Sequence, residues 1–168
     1  MKIKIFTTGG TIDKIYFDRV SEYQIGDPQA GGVLERANVV FEYEVESILR
    51  KDSLDMTDED RSKICERVTN EPRDRIVITH GTNTMIETGK ALGGISGKTM
   101  VLTGSMYPAK FRDNDAIFNV GCAVTAVQIL SPGVYIAMNG RIFNPLRSRK
   151  NVELKTFEDF GEYFEDSG

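Results

Sequence analysis

The sequence predicts an α/β fold: a mainly parallel sheet with helices on both of its faces. Three observations lead there. Short runs rich in β-branched residues recur at 2–6, Arg75–Thr79, Thr99–Thr103 and Gly133–Met138, each of strand length and bounded by turn formers. Segments with helical apolar spacing separate the later runs, and that alternation builds βαβ units with parallel strands. Three of the four runs also end in hydroxyl residues and glycine, as Phe6-Thr7-Thr8-Gly9-Gly10-Thr11, Ile78-Thr79-His80-Gly81-Thr82-Asn83-Thr84 and Leu102-Thr103-Gly104-Ser105-Met106.

Taken along the chain, the first run passes at once into Thr-Gly-Gly-Thr, too short an apolar stretch for a secretory signal, so the expected address is the cytoplasm. The segment 16–34, with Gly26, Pro28, Gly31 and Gly32, follows neither period and is expected to be a hairpin or a mobile loop. Thr57 followed by Asp60 reads as a capping box that opens a helix whose inner face is Ile64, Cys65 and Val68. A second helix is expected from near Asn83 to Gly93-Gly94. A third should run from Asn114 or Asp115 to Leu130, where Ser131-Pro132-Gly133 stops it.

At 168 residues the chain fits one domain, read as 1–160 with an acidic tail at 161–168. An apolar fraction of 40 % without a run of membrane-spanning length excludes a transmembrane protein. A net charge of −4 argues against a nucleic-acid partner, which requires a basic face. The basic stretch Arg141, Arg147, Arg149 and Lys150, followed by Glu153, Glu158, Asp159, Glu162, Glu165 and Asp166, reads as a solvated surface with a frayed end. One histidine and two distant cysteines give no credible transition-metal set and no expected disulfide.

Loops after parallel strands gather along one edge of the sheet, where such folds bind ligands. Glycine there admits close backbone approach, and threonine offers a hydroxyl able to act as nucleophile or hydrogen-bond partner. The pattern points to a hydroxyl-rich, oxyanion-binding pocket. Neither a Gly-x-Gly-x-x-Gly nor a Gly-Lys-Ser/Thr phosphate loop is present at these positions. A threonine needs a group to take its proton. His80 is expected to serve as a structural hydrogen-bond partner rather than a base, which leaves a lysine of lowered pKa or a tyrosine.

Thr8-Gly9-Gly10-Thr11-Ile12, His80-Gly81-Thr82-Asn83-Thr84-Met85 and Leu102-Thr103-Gly104-Ser105-Met106-Tyr107-Pro108 together resemble the signatures of bacterial-type L-asparaginases. Asp115 and Asn119 fit that family's Asp-Gly-Pro-x-Asn stretch, and Ser53-Leu54-Asp55-Met56 is similar to its Ser-Gln-Asp-Met. The resemblance runs to about residue 160 and is to the short form that consists of the N-terminal, Rossmann-like domain alone. It implies hydrolysis of L-asparagine to L-aspartate and ammonia through a threonine acyl-enzyme, with no cofactor and no metal. It implies catalytic roles for Thr11 as nucleophile, Tyr23 as its assistant, and Thr82 with Lys150 as a proton relay. Gly10, Ser53, Leu54, Gly81, Asn83 and Ser105 fall at substrate-binding positions. The implied partners are a small-molecule amide and further copies of the same chain.

Two positions depart from the resemblance. The family's relay aspartate is Asn83 here, and its Gln or Glu after the substrate serine is Leu54. A carboxylate paired with the substrate ammonium would contribute about 1.5–3 kcal/mol as a charged hydrogen bond. Two alternatives therefore stand beside the asparaginase: a non-catalytic module that binds an amino acid or small amide, and an amidohydrolase for a different amide.

Overall fold

In the computed structural model, residues 1–17 and 22–160 are described. The elements are β1 (Lys2–Gly9), β2 (Lys14–Phe17), β3 (Glu22–Ile25), α1 (Ala30–Arg36), β4 (Glu42–Lys51), α2 (Asp58–Asn70), β5 (Arg75–Thr79), α3 (Met85–Ala91), β6 (Thr99–Thr103), α4 (Ala116–Ile129), β7 (Gly133–Met138), β8 (Arg141–Phe143), β9 (Ser148–Asn151) and β10 (Thr156–Asp159). The main sheet has the order β4-β1-β5-β6-β7-β8. Its pairings are parallel except that of β8 with β7. The doubly covered sheet expected from the sequence is present. On one face Ile3, Ile5, Val77, Val101 and Ala137 pack against α1 and α4. On the other Phe6, Ile76, Ile78, Met100 and Leu102 pack against α2 and α3. Strands buried on both faces explain why β5 and β6 read as continuous apolar runs.

Local chemistry accounts for the boundaries. The expected capping box is formed: the Thr57 hydroxyl accepts from the Asp60 N–H, and the Asp60 carboxylate accepts from the Thr57 N–H. The second helix starts at Met85 rather than near Asn83. That correction matters, because Thr82, Asn83 and Thr84 stay outside the helical ladder, and the Thr84 hydroxyl is drawn instead to the Ser53 carbonyl at 2.8 Å.

Three further differences have physical causes. For the segment 16–34 the expected hairpin is present as β2–β3, which starts already at Lys14, and the difference is the short helix α1 running on to Arg36, whose Gly31-Gly32 start disguised it. β4 escaped the pattern because Glu42, Glu44 and Glu46 alternate along an edge strand. Glu44 and Glu46 are matched by Lys4, 2 % exposed, whose ammonium lies 2.7 Å from both. The stretch read as a solvated surface does keep Arg141 and Arg149 exposed, but it is also ordered as the antiparallel pair β9–β10, with Arg149 paired to Glu158 and Arg141 to Asp159. Glu162, Glu165 and Asp166 of the expected tail lie outside the described residues, as does the rest of 161–168.

Candidate functional site

β1, β5 and β6 are neighbours at the centre of the sheet, so their C-terminal loops meet at one edge. Glycine makes the meeting close. Gly10 has φ +84°, and a Cβ there would run into the backbone of Gly81. Gly81 in turn has no room for a Cβ because the Ser53 side chain lies against it, and Gly104 abuts the carbonyl of His80. Two backbone hydrogen bonds fasten the loops: Gly10 N–H to the Lys51 carbonyl at 2.9 Å and His80 N–H to the Thr103 carbonyl at 2.8 Å. Gly10→Ala should therefore destabilise the chain by about 3 kcal/mol or more, read as a lowered denaturant midpoint at unchanged m-value. An unchanged midpoint would show that the two loops do not press together in solution.

Thr11 opens a single 3-10 turn, Thr11–Asp13, and is half-buried. Thr82, on the facing loop, is 5 % exposed. Lys150 reaches the same loop from β9. Its ammonium donates to the Thr82 hydroxyl oxygen at 2.8 Å and to the Asn83 side-chain oxygen at 2.6 Å. Burial lowers the Lys150 pKa, and the Asp52 carboxylate opposes that shift. A lysine of lowered pKa against a buried threonine is a pair able to move a proton between them.

The remaining expected residues divide. Ser53 is buried in a 3-10 turn against Gly81. Ser105 is buried too, and its hydroxyl donates to the Tyr107 carbonyl, so its proton is already committed within its own loop. Leu54 is 70 % exposed and stands at the rim. Tyr23 is 53 % exposed, with its ring 5.4 Å from Tyr16 and 6.1 Å from Phe111. Among the described residues no hydrogen bond joins its hydroxyl to Thr11. His80 is fully buried, with Nδ1 donating to the Gly81 carbonyl at 2.7 Å and Nε2 accepting from Thr88 at 2.8 Å. Burial pushes its pKa down to about 4, so it is neutral and structural.

Three residues shape the site without having been assigned a part in it. The Asp115 carboxylate accepts from the N–H groups of Met106 and Tyr107, at 2.9–3.1 Å, and Asn119 donates to the Gly104 carbonyl at 3.1 Å. Together they fix the loop after β6 to the start of α4. The third is Asp13, two positions after Thr11 and 1 % exposed. Burial raises its carboxyl to about 7, against the lowering effect of the Gln29 N–H and the Arg50 guanidinium.

Asp13 gives the folded chain a pH signature. Between its ordinary pKa of 3.8 and about 7, the folded state keeps a proton that the unfolded state has lost. Its contribution to stability is thus full below pH 4 and is lost as pH rises through 7, a difference on the order of 4 kcal/mol. Glu44 and Asp60, held at about 2 by Arg73 and Lys51, contribute stability that is lost only in stronger acid and do not mask the effect. Buried His80, held neutral at about 4 against its ordinary 6.5, adds stability as pH rises from 5 to 6.5 and offsets part of this loss. The Asp13 contribution is therefore read as a difference: from pH 5 to pH 8 the thermal midpoint of the wild-type chain should lose ground relative to that of Asp13→Asn. Equal slopes in the two proteins would contradict the assignment.

Among the described residues no helix is long and apolar enough to cross a membrane, and no group of three His, Cys, Asp or Glu side chains is placed to hold a metal ion. Comparison with known proteins gives a consistent picture. Residues 2–162 match the family described as asparaginase, N-terminal. The L-asparaginase of Thermococcus kodakarensis is 32 % identical over 94 % of this chain and 51 % of its own length. A probable periplasmic L-asparaginase of Haemophilus influenzae is 34 % identical over 83 % of this chain and 43 % of its own. Among solved structures, the thermostable Thermococcus kodakarensis enzyme superposes with a TM-score of 0.82 at 30 % identity, covering 95 % of this chain and 51 % of that one. A probable cytoplasmic L-asparaginase from Campylobacter jejuni gives 0.81 at 29 %, covering 94 % and 52 %. The chain spans about half the length of the relatives it matches.

Proposed function

The chain belongs to the asparaginase N-terminal family, and from that premise we propose that it hydrolyses a side-chain carboxamide, L-asparagine foremost, to a carboxylate and ammonia. The carrying observation is the Lys150–Thr82 pair on a loop whose Gly81 presses against Gly10, the residue preceding Thr11. Thr11 is the nucleophile of this reading. Its hydroxyl oxygen attacks the amide carbon while Thr82 and Lys150 take the proton, and Tyr23 assists from the hairpin rim. Backbone N–H groups of the strand-tip loops hold the oxyanion, the proton taken from Thr11 passes to the amide nitrogen as the C–N bond breaks and ammonia leaves, and water then cleaves the ester, freeing the acid and returning a proton to the Thr11 oxygen. Gly10, Ser53, Gly81, Asn83 and Ser105 form the substrate's surroundings, with Leu54 at the mouth.

A second reading has its own observation. Asn83 is neutral and Leu54 is apolar and exposed, while Asp52 is already paired with Lys14 at 2.7 Å. An amide without a free ammonium suits such surroundings, as does a module that binds without turnover. Ammonia release from L-asparagine, L-glutamine and amides lacking a free amine separates the three. Release from asparagine supports the first reading, release from the amine-free amides alone supports the different substrate, and tight binding with no release overturns hydrolysis.

Self-association and a cytoplasmic address belong to the same proposal. The outer face of α4 presents Ile117, Phe118 and Ile129 beside Ile142 around an apolar groove of ≈ 520 Å³, the kind of surface that a second copy would cover. Sedimentation as a monomer at micromolar concentration would contradict this part.

A further inference from the structure

Asp13 is joined to more of the site than any role so far given to it requires. Its N–H donates to the Gly10 carbonyl at 3.1 Å, within the turn that carries Thr11. Its carbonyl accepts from the Gly26 N–H at 2.8 Å, and its carboxylate Oδ1 accepts from the Gln29 N–H at 2.8 Å. Lys14 and Ile25 are the last register pair of the hairpin, so Asp13 and Gly26 are the residues from which β2 leaves and to which β3 returns. Gln29 is the position before the first turn of α1. One buried residue therefore ties the Thr11 turn, the hairpin base and the start of α1 together.

The hairpin depends on that tie. A two-stranded ribbon is marginal on its own, and among the described residues β2 and β3 pair only with each other. Its other ties are the part-exposed ion pair of Lys14 with Asp52 at 2.7 Å and, at the far side, the tilted ring contact of Tyr23 with Phe111, and both permit sliding that a buried hydrogen bond does not. Arg50 of β4 is the charged group that faces the carboxyl from the neighbouring strand, and Asp27 already engages it at 2.9 Å. The Gln29 N–H is thus the direct partner of the carboxylate.

We propose that Asp13 is a positioning residue: its carboxylate fixes the base of the β2–β3 hairpin to the Thr11 turn and so sets where Tyr23 stands over the site. The part that concerns Tyr23 rests on the hydrolase reading above; the anchoring of the hairpin does not.

Hydrogen–deuterium exchange and ammonia release on the full chain test the two parts separately. Asp13→Ala should raise exchange at least tenfold over 14–29 while α2, β5 and β6 keep wild-type protection, and Asp13→Asn, which retains an acceptor for Gln29, should stay within a few-fold of wild type. If Asp13→Ala does not fold, Asp13→Ser, which keeps polarity but is too short to reach Gln29, should give the same local pattern. Unchanged exchange over 14–29 in the folded variant overturns the proposal. In turnover, Asp13→Ala should lower kcat about tenfold with little change in KM, Asp13→Asn should restore it, and combining Asp13→Ala with Tyr23→Phe should cost no more than the worse single change. Losses that multiply, or a Tyr23→Phe variant as fast as wild type, overturn the link to Tyr23. Failure of the wild-type chain to release ammonia from any amide defeats the hydrolase reading and leaves the exchange result to decide the anchor.

Discussion

Thr11→Ala should abolish ammonia release, with kcat/KM lower by about 10⁴-fold or more, because it removes the atom that forms the acyl bond. The fold should survive the change. Thr11 is half-buried at the head of a short turn, and its hydroxyl fills no hydrogen bond on which the sheet depends among the described residues. Circular dichroism and the denaturant midpoint should stay near wild type, which separates lost chemistry from lost structure. Thr11→Ser should keep a measurable fraction of the rate, since a hydroxyl remains. A Thr11→Ala protein that releases ammonia at the wild-type rate would assign the attack to another group, with Thr82 the nearest alternative across the Gly10–Gly81 contact.

The second large effect concerns the relay. Thr82→Val and Lys150→Met should each lower kcat about 10³-fold, and the double variant should be little worse than either, because partners in one proton path fail together. The pH profile carries the sign. Lys150 accepts a proton only when neutral, and burial lowers its pKa below the ordinary lysine range. The rate should therefore climb with pH through that lowered value. Lys150→Arg, which keeps the charge but is never neutral in water, should lose the rising limb along with most of the rate. A profile unchanged by Lys150→Arg would leave the 2.8 Å contact with Thr82 as packing alone.

Much of this was legible in the sequence where a single local rule decides. Arg75–Thr79, Thr99–Thr103 and Gly133–Met138 are strands as read, because strands buried on both faces carry unbroken apolar runs. The capping box at Thr57 was equally local. β4 was not legible: its glutamates make sense only beside Lys4 on β1, some forty positions earlier in the chain. β9 and β10 hid for the same reason, since the pairing of Arg149 with Glu158 across the two strands leaves no apolar alternation to read. At the site, the hydroxyl-and-glycine loops announced their shared edge, whereas the contact of Lys150 with Thr82 spans two distant segments and followed only from the family resemblance. Asp13 was readable as a carboxylate two residues after Thr11, but its burial and its bond to Gln29 depend on where the chain returns.

The central claim is that two threonine hydroxyls from separate strand tips reach one carboxamide, and a crystal structure of the chain soaked with L-aspartate, the hydrolysis product, tests it most directly. The side-chain carboxylate of aspartate is expected within hydrogen-bond distance of both Thr11 Oγ1 and Thr82 Oγ1. Aspartate bound away from this edge, or at it with either hydroxyl out of reach, would contradict the claim.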